Sequence, residues 1–235
     1  MTNLTAAVLD PLLRTDPAGP RITYYDDATG ERIELSTATL ANWAAKTGNF
    51  LRDELGVGPA SRVAVLLPAH WQTAAVLLGI WWIGAEVVIG GSPDADVAMC
   101  TAGRLVEADD AGEIVALSLD AFGRPISDLP VGITDYATSV RVHGDQIAPE
   151  GRPGPALGGR SVDELLAAAR GFAAAQGIAA SDRVLSTASW DSEDALVHNL
   201  LAVFAAGGSL VQVANADPTT TERRNATEKV TRVLD

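Results

Sequence analysis

The sequence predicts an α/β protein with largely parallel sheets flanked by helices, built as two related helix–strand–helix–strand units. Three observations predict it. First, Arg62–Leu67 and Glu86–Ile89 are apolar runs without polar alternation, the pattern of strands buried on both faces. Second, the stretch between them, His70 to Ile83, reads as a helix stopped by Gly84, and strand–helix–strand with short connections is a parallel crossover. Third, Leu55-Gly56-Val57-Gly58-Pro59-Ala60-Ser61-Arg62-Val63 returns as Gln176-Gly177-Ile178-Ala179-Ala180-Ser181-Asp182-Arg183-Val184. Each copy follows an Ala-rich helix and leads into a strand, a helix, a small-residue stop and a second strand.

The remaining elements follow in order. Thr2 is placed to cap a first helix carrying Leu4, Val8 and Leu12 on one face. Arg21–Tyr25 and Arg32–Leu35, joined by Asp26-Asp27-Ala28-Thr29-Gly30, read as a hairpin. Ser36 caps a long helix to about Leu55, ended by Gly56-Val57-Gly58-Pro59. Val97–Cys100 and Ile114–Leu117, around a short helix near Arg104–Ala111, read as further strands of the same sheet. Leu119–Gly132 is irregular, and Thr134–Val142 is a short amphipathic stretch. Ser161-Val162-Asp163-Glu164 is a capping box opening a helix to about Gln176. Arg183–Thr187 is a strand, Glu193–Ala206 a helix, Ser209–Val213 a strand. Asp217 caps a last polar helix with Pro218 at its first position, ahead of a strand over Val230–Leu234. The organisation expected is a first unit over 1–147 that includes the N-terminal helix and hairpin. A Pro/Gly loop over 148–160 follows, and then a second unit over 161–235 packed on the first.

Composition excludes several functions. The chain is 47% apolar and 20% charged, as a globular protein is, and carries a formal charge of -13. Nucleic acid and anionic membranes both need a cationic face, so neither is an expected partner. The single cysteine, Cys100, rules out an internal disulfide or a cysteine-built metal site and reads as a small buried hydrophobe. The apolar run at the N-terminus is broken by Asp10 and Pro11 and has no basic leader, so it does not read as a signal peptide. Thr73–Ile89 is too short and interrupted to span a bilayer. A soluble, cytoplasmic protein is the expectation. His70, His143 and His198 lack the i, i+4 spacing of a helical metal pair, so no metal is expected.

Taken together, Ile22-Thr23-Tyr24-Tyr25, the Ser36–Leu55 helix, Arg62-Val63-Ala64-Val65-Leu66-Leu67-Pro68 and Gly79-Ile80-Trp81-Trp82-Ile83-Gly84-Ala85 resemble the N-terminal domain of the adenylate-forming superfamily. Ser181-Asp182-Arg183-Val184-Leu185 and Ala205-Ala206-Gly207-Gly208 extend that resemblance over most of the chain. Heavy use of Ala, and of Arg over Lys, points to a GC-rich, actinobacterium-like genome. Enzymes of this superfamily activate a carboxylate with ATP, gripping pyrophosphate with a Ser/Thr/Gly loop that ends in Lys. At the equivalent place this chain has Ala148-Pro149-Glu150-Gly151-Arg152-Pro153-Gly154-Pro155-Ala156-Leu157-Gly158-Gly159-Arg160, with no Ser/Thr run and no Lys. Its prolines each remove an N–H donor, and the composition reads as a hinge. Arg152 and Arg160 are the side chains there that could still touch a phosphate.

The resemblance also implies an adenine-stacking aromatic, a metal-binding acid, a ribose-binding Asp and a catalytic Lys. All of these would lie beyond Asp235, so none is carried over to a residue here. In the superfamily's substrate segment an aromatic and a His are frequent; here Trp190, Asp191 and, a turn later, His198 occupy it. They are the ligand-pocket candidates, set against a buried Trp and a helix-surface His. The expectation is a non-catalytic pseudoenzyme without cofactor, acting through a protein partner or as a homodimer that buries apolar sheet surface. The alternative is a vestigial binder of a nucleotide, acyl chain or CoA-type ligand, or one part of a split acyl-activating enzyme.

Overall fold

The computed structural model describes residues 2–234 and divides into two compact units. The first comprises the N-terminal residues up to Ala6, Ala41–Pro68 and Gln72–Val162. The second comprises Ala7–Leu40, Ala69–Trp71 and the chain from Asp163 onward. In order the elements are α1 (Leu4–Thr15), β1 (Pro20–Asp26), β2 (Glu31–Ser36), α2 (Thr37–Leu55), β3 (Arg62–Leu66), α3 (Trp71–Trp82), β4 (Glu86–Ile89) and β5 (Val97–Thr101). A 3-10 helix, Ala102–Ala108, leads to β6 (Glu113–Leu117), β7 (Ile133–Asp135) and α4 (Tyr136–Val140). Next come α5 (Val162–Ala175), β8 (Arg183–Ser186), α6 (Glu193–Leu196), a π turn (Val197–Leu201) and α7 (Ala202–Ala206). The last elements are β9 (Ser209–Ala214), α8 (Pro218–Glu228) and β10 (Arg232–Leu234).

The first unit holds a parallel sheet in the order β4-β3-β5-β6-β7. Its strands are apolar on both faces because helices and loops cover both; Val63, Ala64, Leu66, Ala98, Met99 and Cys100 are inaccessible or nearly so. Helices α2 and α3 approach closely at Gly48 and Gly79, where a Cβ on Gly79 would fall 2.8 Å from the Ala44 carbonyl. Burial pushes the Cys100 thiol up to about 11. It is therefore expected to resist a thiol reagent in the native protein at neutral pH and to react fully once denaturant is added, measured by reagent absorbance.

The second unit holds the order β10-β8-β9-β1-β2, parallel except for the β1–β2 hairpin. Here the expected organisation is corrected. The sequence places the hairpin in the first unit, but β1 pairs with β9, with Ile22 opposite Leu210 and Tyr24 opposite Gln212. Both faces of β1 are buried over Arg21–Tyr24, so it needs a ladder partner on each side, and β2 supplies only one.

The two units repeat a common pattern of strand order, β4-β3-β5 in one and β9-β8-β10 in the other. Their helix ends repeat as well. After α3 the N–H of Gly84 bonds Trp81 O and that of Ala85 bonds Ile80 O; after α7 Gly207 bonds Phe204 O and Gly208 bonds Val203 O. After α5 Gly177 and Ile178 do the same with Ala174 and Ala173. All are Schellman ends, with glycine φ of +77°, +91° and +64° at Gly84, Gly207 and Gly177, which only glycine adopts without strain. Two of the expected caps form and one differs. Ser36 Oγ accepts from Thr39 N–H, and Asp217 accepts from Thr219 N–H. The α1 cap is Asn3, whose side chain accepts from Ala6 N–H, in place of Thr2.

Candidate functional site

The segment standing where the resemblance expects a phosphate loop is a strap, not the hinge its composition suggests. Its N–H groups are committed to the protein. Glu150 N–H bonds Trp82 O, Gly154 N–H bonds Gly84 O, and Gly158 N–H bonds Val87 O. Gly159 N–H bonds the Glu86 carboxylate at 2.6 Å, and Arg152 N–H bonds the Glu150 carboxylate at 2.6 Å. Ala156 and Leu157 donate to Arg160 O, and Arg160 donates back to Leu157 O. From the other side, Val87 N–H and the Trp81 indole N–H both donate to Ala156 O. Leu157 thereby bridges Val87 in parallel, completing the outer edge of β4 much as β1 completes that of β9. The fit is close: a Cβ on Gly154 would fall 2.1 Å from Pro59 O. A phosphate cradle needs several free backbone N–H groups pointing one way. Pro149, Pro153 and Pro155 have none, and the bonds above use most of the rest.

Of the candidate residues, Arg152 and Arg160 belong to the first unit, while Trp190, Asp191 and His198 belong to the second. Arg152 is exposed, and Arg160 is half-buried with its carbonyl tied into the strap. Trp190 is 3% exposed, Asp191 is exposed, and His198 is half-buried with its ring stacked on Phe172 at 3.9 Å and 9°.

Trp190 and His198 lie beyond the carboxyl end of β8, the edge at which open parallel sheets place ligands. His198 and Asn199 fall in the π turn, a feature frequent at functional sites. Ser186 Oγ donates to Asn199 Oδ1 at 3.0 Å and accepts from Ala188 N–H; Asn199 Nδ2 donates to Ala195 O. Gln212, opposite Ser186 in the ladder, donates from Nε2 to Ala188 O at 3.1 Å. Two polar atoms in this region, the Trp190 indole N–H and Gln212 Oε1, are buried without a hydrogen-bond partner among the described residues. Gln212 and Asn199 were not among the expected site residues. The available signal was a polar residue inside the apolar run Ser209-Leu210-Val211-Gln212-Val213.

At the opposite, amino-terminal edge of this sheet a groove of about 700 Å3 is bordered by Arg32, Glu34, Arg183 and Glu228. These four charges pair with one another. Glu228, 5% exposed, meets Arg32 at 2.9 Å and also Arg183 and Tyr25 Oη, and Glu34 meets both arginines at 3.0 Å. The border of this groove is therefore charged. Among the described residues no cluster of His, Cys, Asp or Glu could hold a metal ion, and no helix is long and apolar enough to cross a membrane.

No protein-family model matches the chain. It is 69% identical to a TIGR03089 family protein of Mycobacterium tuberculosis (strain ATCC 25618 / H37Rv), covering 99% of this chain and 98% of that protein. It is 34% identical to an acetyl-coenzyme A synthetase of Gamma-proteobacterium EBAC31A08 over 97 residues, 40% of this chain and 15% of that one. Among solved structures it resembles an acyl-CoA synthetase of Brucella canis, with TM-score 0.81 and 18% identity over 98% of this chain and 46% of that one. It also resembles the anthranilate CoA ligase AuaEII in complex with anthranoyl-AMP, with TM-score 0.78 and 16% identity over 99% of this chain and 49% of that one. A benzoate CoA ligase of Burkholderia xenovorans LB400 matches with TM-score 0.76 and 17% identity over 99% and 50%. The chain spans about half the length of the CoA ligases whose structures it matches. It belongs to the TIGR03089 family and has the fold of the N-terminal domain of adenylate-forming enzymes.

Proposed function

We propose that this protein does not form adenylates and works by binding, through a protein partner or a second copy of itself. The observation that carries this reading is the strap: the backbone donors that would hold pyrophosphate are bonded to β4 and the end of α3. An anion there would have to break those bonds before gaining its own, at about 1 kcal/mol or more for each. The expected result is no ATP-dependent exchange of labelled pyrophosphate with any of a panel of acetate, fatty and aryl carboxylates, with or without CoA. Exchange above the background of a heat-denatured sample would overturn it.

A second reading is favoured by the carboxyl edge of β8 and β9. A buried donor at Trp190 and a buried acceptor at Gln212, next to a π turn, support a vestigial small-molecule site there. Thermal-shift measurements with ATP, acyl-adenylates and CoA separate the two. A ligand at a hundred times its Kd stabilises by about 2.7 kcal/mol, which raises Tm by several degrees. A rise that Trp190→Phe abolishes supports the second reading, and unchanged melting with all of them retires it.

A further inference from the structure

A helix that covers a sheet normally turns an apolar stripe toward it, and burial of that stripe fastens it. Helices α5 and α7 do so, burying Val162, Leu165 and Leu166 in the one and Val203 and Phe204 in the other. Helix α8 does not. Its buried residues are Arg224 and Glu228, and its one alanine, Ala226, is exposed. It stands over Tyr25, whose ring lies 4.7 Å from the Arg224 guanidinium and whose Oη donates to Glu228. Through the β1–β9–β8 register Tyr25 shares its sheet face with Val213, Val211 and Leu185, which form a small buried cluster. The helix seats loosely on that face. A cavity of about 150 Å3 remains between Tyr25 and the Thr220, Arg223, Arg224 and Thr227 side of α8. Arg224 Nε–H and Asn225 Oδ1 are buried without a partner among the described residues, and both would gain hydrogen bonds in water. Non-glycine residues also hold left-handed backbone at both ends, Asn215 at φ +49° ahead of the helix and Lys229 at φ +53° as its C-cap.

What fastens α8 is charge. Arg224 pairs with Asp27, and Glu228 pairs with Arg183 and, at 2.9 Å, with Arg32. The attraction within such pairs is largely offset by the hydration each charge loses, and it weakens as salt screens it. Opening the helix returns these charges to water and leaves no apolar side chain of α8 newly exposed. We propose that α8 is a charge-held latch that opens as a unit about Asn215 and Lys229 while the sheet beneath it stays folded. The open state uncovers an apolar strip of Leu185, Val211 and Val213. Val233 of β10, opposite Leu185 and already 46% exposed, extends that strip at its margin. Rising ionic strength shifts the latch toward the open state. The inference concerns the second unit alone and stands apart from the reading of the strap.

Residue-resolved amide hydrogen exchange of the whole chain tests this at about 0.1 M and about 1 M NaCl, between which the screening length falls from about 10 Å to about 3 Å. The amides of Glu222 to Glu228 should share one protection factor, about 100-fold below those of β8 and β9, because a single opening frees them all. At the higher salt the protection of α8 should fall about fivefold, with β8 and β9 unchanged. Val213→Cys reads the uncovering itself. A thiol reagent should modify that position in the native protein faster than Cys100, and about fivefold faster at the higher salt. Should the variant fail to fold, both thiols react alike, and exchange of the unaltered protein decides. Protection of α8 equal to that of β9, exchange graded from the helix ends inward, or exchange that salt leaves unchanged overturns the proposal. So does a Val213→Cys thiol no faster than Cys100 in a protein that melts like the native one.

Discussion

Gly154→Val should unseat the strap and lower the stability of the protein by about 3 kcal/mol. The added Cβ would fall 2.1 Å from Pro59 O, a backbone atom that cannot rotate away, and 3.6 Å from Gly84 O. Relieving that contact moves Gly154 off β4 and strains its bond to Gly84 O, with Ala156 and Gly158 close behind on the same edge. For a chain of this length the cost corresponds to a fall in Tm on the order of 10 °C. Limited proteolysis should then cut within 148–160 well before any other segment. Gly151→Ala serves as the control, since a Cβ there meets nothing within 4 Å. Equal melting of the two variants would show that the strap is not held as described.

Stability should fall on acidification in two stages with different causes. His70 is 2% exposed, its ring edge-on to Tyr24 at 4.3 Å, and burial lowers its pKa to about 3 despite the opposing charge of Asp26. The fold therefore favours the neutral imidazole, while the unfolded chain takes up a proton below its ordinary value of 6.5. The stabilisation is complete above that value and is lost as pH falls toward 3, at about 1.4 kcal/mol per pH unit. Carboxylates join below about pH 4.5. Burial alone would raise the Glu228 carboxyl, but hydrogen bonds from Tyr25, Arg183 and Arg32 outweigh it and hold it below its usual value. The Asp182 carboxyl is held low by the Ala179 N–H and the Thr231 hydroxyl. Both contributions are present above the ordinary carboxylate range and are lost as pH falls through the lowered values. Urea unfolding from pH 7.5 to 4 should show the first slope in the native protein and not in His70→Gln. Glu228→Gln should cost about 2 kcal/mol at neutral pH, since it leaves Arg32 and Arg183 short of a carboxylate, and should flatten the second stage. A flat profile between pH 6.5 and 5 in the native protein would contradict the buried, neutral state of His70.

Local chemistry made much of this fold legible. Unalternating Val and Leu marked β3 and β4, the glycines after α3, α5 and α7 marked helix ends, and Ser36 and Asp217 marked caps. What was not legible depends on pairing between distant residues. Nothing in Ile22-Thr23-Tyr24-Tyr25 says that its second neighbour is β9, because a strand's residues specify burial and not the identity of the strand alongside. β7 is only Ile133–Asp135, too short for any period to show. The strap departs from the hinge its composition suggests for a related reason. Pro and Gly specify a backbone without regular structure, and the same residues serve a free hinge or a chain fastened by carbonyls elsewhere. Gly154 and Gly158 are fastened because Gly84 O and Val87 O face them, which no feature of 148–160 discloses. At the candidate ligand edge the sequence offered Trp190 and His198. The structure buries the first and stacks the second on Phe172, and it adds Asn199 and Gln212, whose polar side chains acquire meaning only at the end of the sheet.

The central claim is that the strap's backbone donors are already engaged and so cannot grip a nucleotide. Residue-resolved amide hydrogen exchange, read by NMR with and without MgATP, tests it most directly. Gly154, Ala156, Gly158 and Gly159 should be protected to a degree approaching that of β4, with rates and chemical shifts unchanged by millimolar MgATP. Exchange of these amides at the rate of an open loop, with shifts that saturate as MgATP is added, would contradict the account.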